Sequence, residues 1–226
     1  MKNNNKLKEA IISCKKCSRL VTFREEIAKK KRKEFFRQEY WGKGVPGFGD
    51  LKARILILGL APAAHGANRT GRVFTGDKSA SFLFRCLHKA KMTNKPDSIS
   101  LNDGLKIFDT YITCAVKCVP PGDKPNSIEL KNCFKHLKEE ILLLKNLKII
   151  LTLGQIAFES CLKFFNLKKK DYKFTHGAFY NINDEITLVS SYHPSPRNVN
   201  TKRIDEKKML EVLKSIRAII KPHLWK

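Results

Sequence analysis

Four apolar runs separated by helix-length intervals constrain this chain more than any other feature. They are "RILILGL" (54–60), "FDTYITCAV" (108–116), "LKIILTLG" (147–154) and "EITLVSSYHP" (185–194). The first is apolar without alternation, as in a strand covered on both faces. The second is rich in β-branched and aromatic residues. Helical candidates fill the intervals at 79–91, 127–145, 154–165 and 203–219. Apolar strands alternating with helices of ten or more residues predict an α/β fold, with a mainly parallel sheet and helices on both faces.

Upstream, residues 7–13 read as a short helix ending near Cys14, and 18–40 as a charged helical segment. Four Gly and a Pro in "WGKGVPGFGD" (41–50) then break the pattern. No linker-like stretch divides the 226 residues, so one domain is expected over 1–226, with an N-terminal helical extension over about 1–50.

In a parallel sheet the ligand site lies beyond the carboxyl ends of the strands. The loops after strands one, two and four are therefore the places to look. After strand one comes "GLAPAAHGANRTGRVFTGD" (59–77). It fails the dinucleotide fingerprint, because the second glycine is missing and Pro62 removes a backbone donor. The phosphate-loop pattern fails too. Small residues, among them Ala61 and Ala63, still allow a group to approach the backbone closely. Arg69 and Arg72 could meet phosphate, or the loop could be plain surface with scattered charge. After strand four, "SYHPSPRNVNTKR" (191–203) is stiffened by two prolines. It offers His193 at the strand end, and Ser195, Arg197 and Asn198 as phosphate donors.

Charge narrows the partner. With 45 basic and 21 acidic residues the formal net charge is +24, which points to a polyanion, most often nucleic acid. A Lys-rich genome is the bland alternative. No apolar run is long enough for a signal peptide or a membrane span, so a reducing, cytoplasmic setting is expected. Seven cysteines then read as ligands or buried residues rather than disulfides. Cys14 and Cys17 form C-x-x-C, which sets two thiolates within reach of one metal centre. Cys118 and Cys133 would complete either a zinc site or an iron–sulfur cluster. Cys86 and Cys161 read as core, and Cys114 at the end of strand two is ambiguous.

The two loops, taken with these cysteines, resemble the family 5 uracil-DNA glycosylases, the iron–sulfur B class. The resemblance extends through "YWGKGVPGFGDLKARILI" (40–57), "AVKCVPPGDKP" (115–125) and "LTLGQIAF" (151–158). It implies a three-layer α/β/α sandwich around a central four-stranded parallel sheet. It implies a [4Fe–4S] cluster on Cys14, Cys17, Cys118 and Cys133. The implied reaction is hydrolysis of the N-glycosidic bond of uracil in DNA, and of hypoxanthine or other deaminated bases. The substrate would be single- or double-stranded DNA and the enzyme a monomer.

The resemblance also implies roles. Phe74 would be the platform on which the extruded base stacks, although by itself it reads as core. His193 would hydrogen-bond the base carbonyl beside the scissile bond. Ala61 stands where relatives keep a polar group, so Asp77 becomes the catalytic carboxylate; capping the helix that follows is its other reading. His65 is a secondary pocket candidate. Arg69, Arg72, Ser195, Arg197 and Asn198 would meet DNA. Cys114 stands where the family has Asn to read the base edge, which implies looser selectivity. Two rivals remain. A family 4 enzyme would carry Glu where this chain has Leu60. A non-catalytic, metal-containing nucleic-acid-binding protein would share the charge and the cysteines.

Overall fold

The computed structural model describes residues 2–220. The ends of the domain expected over 1–226, residue 1 and residues 221–226, lie outside them. In chain order the elements are α1 (Lys2–Ile12), α2 (Ser18–Lys30), β1 (Phe48–Gly49), β2 (Ile55–Gly59), α3 (Ala67–Thr70), α4 (Lys78–Lys89) and β3 (Thr110–Cys114). There follow α5 (Ser127–Leu143), β4 (Ile149–Leu153), α6 (Gln155–Phe164), β5 (Ala178–Asn181), β6 (Thr187–Ser191), α7 (Pro196–Asn200) and α8 (Glu206–Ile219).

Among the described residues the strands form one sheet in the order β1-β3-β2-β4-β6-β5. The four apolar runs become β2, β3, β4 and β6, which pair in parallel at its centre. Two antiparallel edge strands, β1 against β3 and β5 against β6, were not anticipated and make the sheet mixed. Every residue of β2, β3 and β4 is buried, as strands covered on both faces require.

Alternation of side chains sorts this burial into two cores. Ile55 and Ile57 of β2 join Ile112, Leu151 and Val189 beneath Leu83 and Leu87 of α4 and Leu213 of α8. Leu56 and Leu58 face the other way, with Ile150 and Leu188, against Leu137 of α5 and Phe158 of α6. The molecule is thus helix, sheet, helix in three layers. Each fully buried Leu or Ile contributes about 1.5–3 kcal/mol, so these alternating sets supply most of the driving force.

Helix starts follow local chemistry. Asp77, Asn126 and Asp205 cap α4, α5 and α8 with their side-chain oxygens, and Asn126 with Glu129 completes a capping box. The helix expected over 18–40 stops at Lys30, where Lys31 turns to φ +48°. The run "AKKKRK" (28–33) crowds like charges on successive turns, which disfavours continuing the helix. α2 is tied to α5 by the Arg19–Glu129 ion pair at 2.7 Å.

Candidate active site

The carboxyl ends of β2, β4 and β6 open into a cavity of about 650 Å³. Its wall includes Ala61, Ala63, Phe74, Asp77, His193, Ser195 and Arg197, so the loops after strands one and four do converge.

Phe74 forms one wall. Its backbone sits at φ +48°, a left-handed conformation that a bulky side chain adopts only when the surroundings impose it. Here they do. The flanking Arg72 and Thr75 belong to a buried network in which Arg72 Nε donates to Thr75 Oγ1 and Arg72 Nη2 donates to Ser98 Oγ and Asp103. Below the ring, a Cβ at Gly59 would lie 2.8 Å from Phe74, so only glycine allows this approach. Phe74 is both core and cavity wall, 8% exposed. His193 stacks beside it, with ring centroids 5.9 Å apart and planes inclined by 29°.

Desolvation holds the His193 imidazole down to a pKa of about 4, so it is neutral at pH 7 and can donate one ring N–H. Asn198 Nδ2 donates to the His193 carbonyl at 2.9 Å and steadies the loop.

Asp77 does two things at once. Its Oδ1 accepts from Ala80 N at 2.9 Å and caps α4. Its Oδ2 packs against Gly66, where a Cβ would overlap it. Burial pushes the Asp77 pKa up. Backbone donors at Ala80 and Ser79 and the charge of Arg69 pull it down, and the charge of Asp123 raises it again.

Several expected site residues lie elsewhere. Arg69 and Arg72, expected on the DNA backbone, are buried, and each guanidinium bonds groups inside the protein. Arg69 bonds the carbonyls of His65 and Gly76 and the Gln38 side chain, with its guanidinium 3.9 Å over the Phe35 ring. Arg72 pairs with Asp103 at 2.6 Å. A phosphate could reach either one only by unmaking these bonds. His65 does not line the cavity. Its Nδ1 lies 3.0 Å from Tyr40 Oη, on the side of the N-terminal segment. Cys114 is buried behind Gly59 and Phe74, so it underlies the wall instead of facing a ligand. Asn198 serves His193 rather than lining the cavity.

Asp123 and Gln155 line the cavity although sequence reasoning passed over both. Asp123 ends a turn in which Gly122 and Asp123 both have positive φ. The Pro-Pro-Gly-Asp string is a turn signal, and its place just after strand two could have flagged it. Gln155 opens α6, whose free N-terminal amides face the cavity with Gly154, Ile156 and Ala157.

The cysteines gather on the other side of the pocket loop. Cys17, Cys118 and Cys133 share one small core with Leu20 and Val116. Cys14 lies within electrostatic range of both Cys118 and Cys133. Among the described residues, no group of three or more His, Cys, Asp or Glu is arranged to hold a single metal ion. Burial pushes the Cys133 thiol up to about 12 and raises Cys118 as well, so neither is a thiolate by itself. Against them stands Arg24, 2% exposed, donating from Nη1 to Cys118 Sγ at 3.0 Å, with Nε buried and unbonded. A buried guanidinium against Cys118, in a cluster that also holds Cys17 and Cys133, fits a thiolate-ligated, negatively charged group.

Comparison with known proteins agrees with this geometry. Residues 46–217 match the family model described as the uracil DNA glycosylase superfamily. A type-5 uracil-DNA glycosylase of Thermus thermophilus is 44% identical over 205 residues, 91% of this chain and 93% of the relative. One of Pyrobaculum aerophilum is 42% identical, covering 92% and 89%. A type-4 uracil-DNA glycosylase of Saccharolobus solfataricus is similar at 30%, over 67% and 65%. This chain belongs to the uracil DNA glycosylase superfamily, with the type-5 uracil-DNA glycosylases.

Proposed function

We propose that the protein removes uracil from DNA by hydrolysing the N-glycosidic bond and leaves an abasic site. The observation that carries this reading is the placement of Asp77, a partly buried carboxylate held at a helix cap, in the same cavity as the stacked Phe74 and His193. A base inside a duplex is out of reach, so the nucleotide leaves the stack and its base lies on Phe74. As the bond between C1′ and the base nitrogen breaks, its electron pair goes to the base. The neutral His193 donates a hydrogen bond to the carbonyl where that charge gathers. The sugar gains oxocarbenium character, which the Asp77 carboxylate stabilises while it orients a water towards C1′. The water oxygen bonds C1′, and its proton passes to the carboxylate and then to solvent.

The breadth of the cavity, about 650 Å³ with a largely small or apolar wall, favours hypoxanthine as a second substrate. Cys14, Cys17, Cys118 and Cys133 hold a [4Fe–4S] cluster, whose contribution when bound is to tie the N-terminal segment to α5 and to the loop after β3. Arg197 and Ser195, at the cavity rim, meet the DNA backbone. A single domain over 1–226, monomeric, cytoplasmic and acting on single- or double-stranded DNA, completes the reading.

The test is a duplex carrying one uracil, incubated with the protein and then treated with alkali. Strand breakage at the uracil is expected. Intact strands, from a preparation that still binds DNA, overturn the enzyme reading in favour of a binding protein.

A further inference from the structure

Arg24 belongs to neither the cavity nor the set of thiolate ligands, yet it touches elements of both. Its guanidinium is buried against Cys118 Sγ with no carboxylate in ion-pair distance among the described residues. Leaving such a cation without a counter-charge costs several kcal/mol, so a guanidinium buried here calls for an anion beside it. On its other side, the Arg24 carbonyl accepts from Asn68 Nδ2 at 3.1 Å. Asn68 is fully buried in α3, inside the pocket loop. The loop is seated further by Gly42, whose N–H donates to the Asn68 carbonyl at 3.0 Å. A Cβ at Gly42 would come within 2.9 Å of Ala28 on α2, so helix and loop are closely packed. From α3 the next residue, Arg69, donates to the carbonyl of Gly76 at 2.8 Å, and Asp77 is the residue after that. Three hydrogen bonds, joined through the backbone of Arg24 and of Asn68–Arg69, therefore link a cysteine sulfur to the residue before the candidate catalytic carboxylate.

We propose that Arg24 is a positioning residue: its guanidinium counters the charge of the cysteine-bound group, and its carbonyl, through Asn68, holds the pocket loop so that Asp77 is correctly placed. This rests on the reading that the four cysteines hold an iron–sulfur cluster. The residue acts from behind the loop and touches no substrate. With the cluster absent, the buried guanidinium loses its counter-charge and α2 is free to shift, and the shift is passed to Asn68. Both α2 anchors, Arg19 on Glu129 and Arg24 on Cys118, lie on the face towards α5 and the loop after β3. The cluster and the pocket loop thus share one helix as their common support.

The experiment compares full-length wild type with Arg24→Gln, Arg24→Lys and Asn68→Ala. Three quantities are read: the rate at which a chelator strips iron, amide hydrogen exchange over residues 67–77, and kcat against KM for uracil excision. Arg24→Gln should lose iron about 10-fold faster, the usual penalty for removing a partner of a metal ligand. It should also raise exchange over 67–77 and lower kcat more than it raises KM. Arg24→Lys keeps the charge and should restore most of the iron retention. Asn68→Ala should loosen 67–77 while iron is kept at the wild-type rate. Iron loss from Arg24→Gln at the wild-type rate, or exchange over 67–77 that is indifferent to iron removal, overturns the proposal. If Arg24→Gln does not fold, the other two variants and iron removal from wild type decide it by the same readouts. A colourless, iron-free wild type overturns the cluster reading and this proposal together. A brown wild type with an unaltered Arg24→Gln overturns this proposal alone.

Discussion

Arg72 and Asp103 form an ion pair at 2.6 Å with each side chain only 7% exposed, and Phe74 hangs from it two residues along the chain. Burial opposes ionisation of Asp103. The Arg72 guanidinium and the backbone donors of Ile99, Leu105 and Ser100 outweigh it and hold the carboxyl well below the usual carboxylate range. The pair therefore stabilises the fold above about pH 4, the ordinary range of a free Asp, and that stability is lost as pH falls through the depressed value.

Replacing Arg72 by Gln leaves the Asp103 side chain, 7% exposed, with its backbone donors but no counter-charge. A loss of about 3–5 kcal/mol is expected in denaturant unfolding. The salt dependence of DNA binding should not change, since Arg72 is buried and its guanidinium is bonded to Thr75, Leu101, Ser98 and Asp103. A slope shallower by about one unit would restore the phosphate contact that the sequence suggested.

Asp77→Asn separates the two roles of that residue. Asn caps helices as well as Asp does, so thermal stability should stay within about 0.5 kcal/mol of wild type. Excision should fall by about 10²–10⁴-fold, since the amide neither takes a proton nor carries charge. Full activity in this variant would remove Asp77 from the mechanism.

Asp123→Asn probes the neighbouring charge. Asp123 raises the pKa of Asp77, so its removal favours the ionised form of Asp77. The acidic limb of the kcat profile should move to lower pH, with activity near neutral pH little altered. His193 is already neutral above about pH 4 and contributes no limb near neutrality. An acid limb that stays put, or moves upward, would separate Asp123 from Asp77.

Gly66→Ala places a methyl group where Asp77 Oδ2 lies. The carboxylate must move or the α3 turn must open. We expect kcat to drop by at least about 10²-fold, as misplacement by a fraction of a residue does to a positioned catalytic group. Measured KM and DNA affinity should change far less. Wild-type kcat would show that the position of this oxygen is not critical.

Arg197, exposed at the cavity rim, is the contrast to the buried arginines. Arg197→Ala should weaken binding of abasic and undamaged duplex alike and flatten the logarithmic salt slope by about 0.9. An unchanged slope would place Arg197 off the DNA backbone.

The central strands were legible because burial on both faces writes itself as unbroken apolar runs, as in Ile55–Gly59 and Ile149–Leu153. The edge strands were not. Phe48–Gly49 has two residues in a Gly-rich stretch, and Ala178–Asn181 has four that alternate between partly buried and exposed. The end of α2 was hidden for a related reason, since the residues after Lys30 are good helix formers and only their mutual repulsion argues for a stop.

Residue types and order alone determined the α/β class, the two converging loops and the family, and offered the Asp77 cap as a second reading of that residue. Each of these depends on neighbours in sequence or on motifs read along the chain. Tertiary structure decided which charged side chains face outward. An arginine in a glycine-rich loop reads as a phosphate contact until its partners are known, and the partners of Arg72 lie 26 and 31 positions away, at Ser98 and Asp103. Folding likewise set Cys114 behind the wall, turned His65 to Tyr40, brought Asp123 to the cavity and buried Arg24 between a sulfur and the pocket loop. Local chemistry writes elements into a sequence. Long-range packing chooses which of their polar groups are consumed inside the protein and which remain for substrate.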